Sequence, residues 1–140
     1  MKDVVNAKIK FREPYRPFAP SVLAEHAERY FELPNAARHC PARYMLYVVP
    51  VRQEQQTNLP AITHVDGTGR LQTVFLKQSP RYYRLIERFG QATGIPVVLN
   101  TSFNLKGEPI VNTPANAFNT FRNSEMDALV LENFLIDKAA

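Results

Sequence analysis

Residues 95–99, Ile-Pro-Val-Val-Leu, carry no polar break, and Asn100, Thr101, Ser102, Phe103 and Asn104 follow at once. An apolar run of this length, bounded by turn chemistry, is the pattern of a strand covered on both faces. Such a strand needs packed layers around it, which points to an α/β domain with helices against an open sheet. The residues after the strand are as informative. A simple connector needs one or two turn formers, whereas Asn100, Thr101, Ser102 and Asn104 crowd into five positions ahead of Gly107 and Pro109. Two readings stand open: a turn network that satisfies itself, or a strand delivering polar groups to a ligand at the carboxyl end of a sheet.

The other elements are read from spacing. Ser21 looks like the N-cap of a helix running to about Leu33, with Leu23, Ala27, Tyr30 and Phe31 on one face. Residues 44–51 read as a buried strand, and the apolar runs 61–65 and 71–76 flank Asp66-Gly67, a hairpin signal. Tyr82, Leu85, Ile86 and Phe89 recur at helical spacing, predicting a helix that ends near Gly90 or Gly94. Thr113-Pro114 offers a capping hydroxyl and a first-turn proline for a helix burying Ala117, Phe118 and Phe121. Residues 128–136 close the chain as strand, divided at Glu132-Asn133. The first twenty residues show no clear element, so the domain is expected to be incomplete at its N-terminal edge.

Composition narrows the class. With 45% hydrophobic and 21% charged residues, the 140-residue chain has the make-up of one globular domain rather than a disordered segment. No apolar run is long enough to span a membrane, and no signal-peptide pattern opens the sequence, so a cytoplasmic setting is expected. The single cysteine, Cys40, excludes an internal disulfide and reads as a bystander thiol. His26, His39 and His64 fall on separate elements without matching Cys or Asp spacing, so no metal site is expected within the chain.

The net charge of +4 is concentrated at the start. Lys2, Lys8, Lys10, Arg12 and Arg16 face only Asp3 and Glu13 in the first twenty residues. Residues two apart share a face of an extended segment, so Lys10, Arg12 and Arg16 can converge, and Pro14, Pro17 and Pro20 stiffen that rail. Guanidinium forks and a mobile ammonium suit a polyanion; a basic edge strand is the bland alternative. Thr68, Gly69 and Arg70 add a donor-rich tip to the Asp66-Gly67 turn, either ordinary hairpin chemistry or an anion-binding nest. Asn100, Ser102 and Asn104 are suited to orienting phosphate, ribose or base edges, and Gly107 to close backbone approach. Neither a Ser-His-acid set nor a P-loop is present.

Three stretches in order, residues 8–23, 59–74 and 93–114, resemble the C-terminal domain of NodU/CmcH-type O-carbamoyltransferases over nearly the whole chain. The resemblance implies a YrdC-like fold, an open twisted mixed sheet with flanking helices, for residues 1–140. In threonylcarbamoyl-adenylate synthases of that fold, a KxRP segment and a TSANxSGxP loop are similar to Lys10–Pro14 and Thr101–Pro109. Lys10, Arg12 and Arg16 are thereby implied as catalytic cations. Arg70, Asn100, Thr101, Ser102 and Asn104 are implied as substrate and ATP contacts, with Mg²⁺ accompanying the nucleotide. The implied reaction joins carbamoyl phosphate and ATP into carbamoyl adenylate. A separate N-terminal, metal-containing domain, absent from this sequence, would then transfer the carbamoyl group to a hydroxyl.

Two other functions remain open on sequence. Phe11, Tyr15 and Phe18 interleave with Lys10, Arg12 and Arg16 as in a stacking platform for single-stranded RNA. A nucleotide-binding regulatory domain without catalysis would need the same contacts as an enzyme half.

Overall fold

The computed structural model describes residues 1–138 except Arg12 and Pro14. Among the described residues the regular elements, in chain order, are helix α1 (Lys2–Val5), continued by a π-helical turn Asn6–Lys10, and strand β1 (Ala19–Leu23). Helix α2 (Ala27–Tyr30), strands β2 (Tyr47–Pro50) and β3 (Thr68–Val74), and helix α3 (Pro80–Thr93) follow. Strand β4 (Val97–Asn100), helix α4 (Pro114–Arg122) and strands β5 (Ala128–Leu131) and β6 (Phe134–Asp137) come last, and short 3-10 turns lie between β1 and β3. The architecture is mixed α/β with an open sheet. Two compact units divide it, one of residues 17–101 and one of residues 1–16 with 102–140.

The first unit is built on the sheet β2-β3-β1-β4. β1 runs parallel to β3 and antiparallel to β4, and β2 runs antiparallel to β3. Every residue of β1 is buried, and the main core gathers around it from Val22, Tyr30, Phe31, Val49, Val51, Leu71 and Val97. The helix expected from Ser21 is therefore absent at its start. Residues 19–23 form the strand, Ser21 is a buried sheet residue, and the helical turns begin only at Ala24. Pairing on both sides outweighs the capping signal, because neighbours on each side let the buried N–H and C=O groups of β1 find partners.

Three further expectations change. Among the described residues β4 pairs with β1 alone, so it is the sheet's border strand, and past Val97 it is only half-buried rather than covered on both faces. β2 is shorter than 44–51 and buries only Val49, since Met45 adopts a left-handed turn (φ 57°) just ahead of it. The Asp66-Gly67 turn forms, but no strand precedes it: Thr68, Gly69 and Arg70 lie in β3, whose partners are β2 and β1.

Helix α3 runs through Gly90 to Gly94, which takes φ 81° and donates its N–H to the Gly90 carbonyl. Ile86 is its buried residue; Leu85 and Phe89 lie on the exposed side. Gly90 serves a different purpose from capping. A Cβ there would sit 2.7 Å from Pro96 Cβ and 3.0 Å from Pro96 Cα, so the helix passes against the chain entering β4 only because this side chain is missing.

In the second unit, the Thr113 hydroxyl accepts from Asn116 N–H at 3.1 Å and caps α4, with Pro114 in the first turn. Ala117 and Phe121 pack with Leu129 of the β5–β6 hairpin. Phe118 is exposed and Thr120 takes the third buried position instead. The hairpin turns at Glu132 (φ 53°), at the break expected from sequence. The opening residues, expected to lack an element, form α1 and its π-helical extension.

The Gly90 geometry sets the sign of a substitution. Gly90→Ala should gain about 1 kcal/mol of helix propensity yet lose about 1–3 kcal/mol to overpacking against Pro96. A net fall in denaturation midpoint is expected; a midpoint above the parent's would mean that Pro96 yields freely.

Candidate functional site

The second unit brings four of the expected site residues together. Lys10 ends the π-helical turn, and its ammonium is aimed into the 102–104 segment. Lys10 Nζ donates to the Ser102 carbonyl, to Asn104 O and Asn104 Oδ1 at 2.9 Å each, and approaches Ser102 Oγ at 3.3 Å. The residue is only 6% exposed. The extended rail is thus corrected at its first residue: Lys10 sits at a helix end, followed by Phe11 in a left-handed conformation (φ 46°). Arg12 lies outside the described residues. Asn6, also buried, donates through Nδ2 to the Arg16 carbonyl at 3.0 Å and holds the segment that carries Arg16.

The loop itself is closed by short-range bonds. Ser102 Oγ donates to Asn104 Oδ1 at 2.7 Å, and Asn104 Nδ2 donates to the Glu108 carbonyl at 2.9 Å. Glu108 Oε2 accepts from Leu105 N–H at 2.9 Å and from the Thr120 hydroxyl at 3.1 Å. Gly107 takes φ 83°, the left-handed region where a Cβ costs most. The loop's polar groups therefore satisfy one another, and they do so around an open cavity of about 310 Å³. Lys10, Glu13, Arg16, Ser102, Asn104, Leu105, Lys106 and Gly107 line it. Three cations meet one carboxylate there, and that carboxylate, Glu13, is loosely paired with Arg16 at 3.8 Å across exposed side chains. The cavity wall is net positive, so it favours an anion.

Lys106 and Glu108 are the residues the sequence reading passed over. Both stand in the quoted loop. Lys106 is an exposed cation two residues beyond Asn104, and Glu108 falls at a variable position of the family's pattern, so only the fold reveals its hub role.

Arg70, Asn100 and Thr101 belong to the first unit. Arg70 is exposed on β3, opposite Val48. Thr101 is exposed, and Asn100 ends β4 within a polar cluster on the sheet. Gln72 Oε1 accepts from Ser21 Oγ at 2.5 Å and from Asn100 Nδ2 at 2.8 Å. Gln72 Nε2 reaches the Arg43 carbonyl at 3.4 Å, and Asn100 Nδ2 also lies 3.8 Å from Met45 Sδ. Tyr82 hydrogen-bonds with Ser21, and burial pushes its phenol above the ordinary range against that bond's opposing pull. Phe18 is buried in the core while Phe11 and Tyr15 are exposed, so the three-ring stacking platform expected from sequence loses a member. Among the described residues no group of three or more His, Cys, Asp or Glu could hold a metal ion, and no helix is long and apolar enough to cross a membrane.

A family model described as Carbamoyltransferase C-terminus matches residues 1–138, and the chain belongs to that family. Nodulation protein NolNO of Sinorhizobium fredii is 50% identical over 137 residues, covering 98% of this chain and 20% of that protein. Nodulation protein NolO of Bradyrhizobium diazoefficiens is also 50% identical over 137 residues, covering 98% of this chain and 25% of its own length. The 3'-hydroxymethylcephem-O-carbamoyltransferase of Amycolatopsis lactamdurans is 39% identical over 105 residues, covering 75% of this chain and 19% of that enzyme. This chain therefore spans about a fifth to a quarter of these relatives.

Lys10→Ala would strip the donor from the part-buried Ser102 and Asn104 oxygens, and each hydrogen bond lost there costs about 0.5–1.5 kcal/mol. A clear loss of denaturant stability should result, and unchanged stability would show that Lys10 does not hold the loop.

The turn at Asp66 supplies a pH signature. Desolvation by burial lowers the His64 pKa from 6.5, with Asp66 opposing and Arg70 reinforcing. The unfolded chain then takes the proton first. Stability from neutral His64 is complete above 6.5 and is lost as pH falls from there through the folded value. His64→Gln should flatten the stability profile in that window; an identical profile in parent and variant would remove His64 as its source.

Proposed function

We propose that this chain is the carbamoyl-adenylate-forming domain of an O-carbamoyltransferase. It would bind ATP and carbamoyl phosphate in a YrdC-like, cytoplasmic setting. Transfer to a hydroxyl acceptor would fall to an N-terminal, metal-containing domain outside these 140 residues. The observation that carries the reading is the cavity beside the 102–108 loop, with Lys10, Arg16 and Lys106 in its wall.

The chemistry suits such a wall. Water releases phosphate from carbamoyl phosphate, a carbamate oxygen bonds to the α-phosphorus of ATP, and the α–β bridge breaks with pyrophosphate leaving. Two polyanions must be brought together, so alignment and charge neutralisation matter more than an acid-base pair. Exposed Arg16 and Lys106 are the cations assigned to phosphate, with Arg12 and Arg70 as further phosphate contacts. Lys10 shapes the loop from beneath, presenting the Ser102 hydroxyl and the backbone around Gly107. Thr101, Ser102, Asn104 and Asn100 orient the substrates, and Mg²⁺ arrives as part of the nucleotide substrate. Against an RNA-binding role stands the burial of Phe18, which removes one ring from the stacking face.

Arg16→Ala and Lys106→Ala should each weaken ATP·Mg²⁺ binding by about 1.5–3 kcal/mol, the worth of a charge-assisted hydrogen bond. Their effect on stability should be slight, since both cations are exposed. Calorimetric titration measures the first and thermal denaturation the second. The catalytic half is tested by carbamoyl-phosphate-dependent exchange of labelled pyrophosphate into ATP, with no carbamoylated alcohol formed by this chain alone. Folded protein that gives no heat at millimolar ATP and no exchange would end the reading. Steeply salt-dependent RNA binding without a response to ATP would replace it.

A further inference from the structure

We infer that Asn100 meets its ligand with a carbonyl oxygen, and so reads an N–H₂ group rather than a phosphate. The inference deepens the proposed function and rests on that reading for the identity of the substrates. It comes from the polarity of the hydrogen-bond chain on the sheet. A side-chain amide has an accepting end and a donating end, and its neighbours decide which way each faces. Gln72 touches the Arg43 carbonyl, which can only accept, so Gln72 Nε2 must face it at 3.4 Å. Gln72 Oε1 is then turned toward β1 and β4, where it accepts from Ser21 Oγ at 2.5 Å and Asn100 Nδ2 at 2.8 Å. At the far end, Met45 Sδ, another acceptor, lies 3.8 Å from the same Asn100 Nδ2. Acceptors at both ends of the chain impose one orientation. Reversing either amide would press oxygen against oxygen at Arg43 or oxygen against sulfur at Met45.

With Nδ2 committed inward, Asn100 has only Oδ1 left to offer. Among the described residues that oxygen accepts no hydrogen bond, although Asn100 is not exposed as a residue, and Oδ1 is not sealed from solvent. An outward amide oxygen repels a phosphate oxygen and attracts a donor. Both substrates of the proposed reaction carry an N–H₂ group: the carbamoyl nitrogen of carbamoyl phosphate and the exocyclic amine of adenine. The shared chemistry is a neutral amino donor, and the two sources separate experimentally. Gln72 is a positioning residue in this scheme, because it acts on the ligand only through Asn100.

The test compares amino-bearing ligands with analogues lacking the group. Carbamoyl phosphate is titrated against acetyl phosphate, and ATP against inosine triphosphate, using the parent chain, Asn100→Ala and Gln72→Met. One pair should show a parent preference of at least roughly fivefold for the amino ligand, the scale of one neutral hydrogen bond. The pair that shows it identifies the source. Asn100→Ala should erase that preference while leaving binding of inorganic pyrophosphate unchanged. Gln72→Met should reduce it too, with the fold verified by circular dichroism; if that variant does not fold, Asn100→Ala decides alone. No parent preference in either pair, a preference that survives Asn100→Ala, or weakened pyrophosphate binding in that variant would overturn the inference. An amino preference without pyrophosphate exchange would sink the catalytic reading and leave the inference standing. Exchange without the preference would do the reverse, and a folded chain that binds none of the four ligands would sink both.

Discussion

The buried Lys10 ammonium is the contact on which the order of the candidate site depends. Removing an ammonium from water costs several kcal/mol, and the cost is offset only where oxygens replace the lost hydration. Ser102 and Asn104 provide four such oxygens, two from backbone and two from side chains. The dependence is mutual, since loop carbonyls turned inward need a donor as much as the ammonium needs acceptors. It also accounts for the irregular backbone next to it. A π-helical turn ending at Phe11 with φ 46° is an uncommon path for a bulky residue, and such a path persists where surrounding contacts over-determine it. The reach of Lys10 into the loop is one such contact.

This arrangement is a turn network that satisfies itself, and it does not compete with the proposed ligand for space. Ser102, Asn104 and Glu108 do close on one another, and the cavity stands beside the closed loop. A loop fixed before ligand arrives loses little entropy on binding, and donors already aimed need no reorganisation during reaction. Glu108 shows how the electrostatics stay favourable. Its carboxylate sits in an anion-attracting region, yet Oε2 accepts from Leu105 N–H and the Thr120 hydroxyl. The negative charge is thus engaged by the loop's own donors, while Lys106 contributes a cation to the cavity wall.

What the sequence made legible was whatever depends on neighbours in the chain. The Thr113-Pro114 cap, the Glu132-Asn133 turn and the body of α3 are local, and each stands where its residues place it. Where partners come from far away, the reading failed. Ser21 has the chemistry of a cap, but Gln72 and Val98 flank it in the sheet and hold it extended. The apolar run of β4 signals burial without revealing that only β1 would pair with it. Of the two helix ends offered, Gly94 is the one used, while the close approach of Pro96 that Gly90 permits is a tertiary fact. At the site, the residue types of the basic segment and the 100–104 stretch were readable. Lys10 turning inward was not, for an ammonium in a sequence gives no sign of which oxygens it will meet.

The same distinction separates residue type from residue polarity at Asn100. Asparagine can donate or accept, so its presence beside a polar loop suits a phosphate and an amine equally. The choice is made 28 residues away, where Gln72 is oriented by the Arg43 carbonyl and then orients Asn100 in turn. A carboxylate at residue 100 could not take up the inward bond to Gln72 Oε1 as this chain is oriented, and a lysine would bring a charge and a reach the cluster has no place for. A serine or threonine hydroxyl also donates and accepts, but through one rotating atom, whereas an amide places its donor and its acceptor on separate atoms of a rigid plane. On the proposed reading, the end of β4 calls for a dipole of fixed direction, and asparagine, held by Gln72 and Met45, meets that demand.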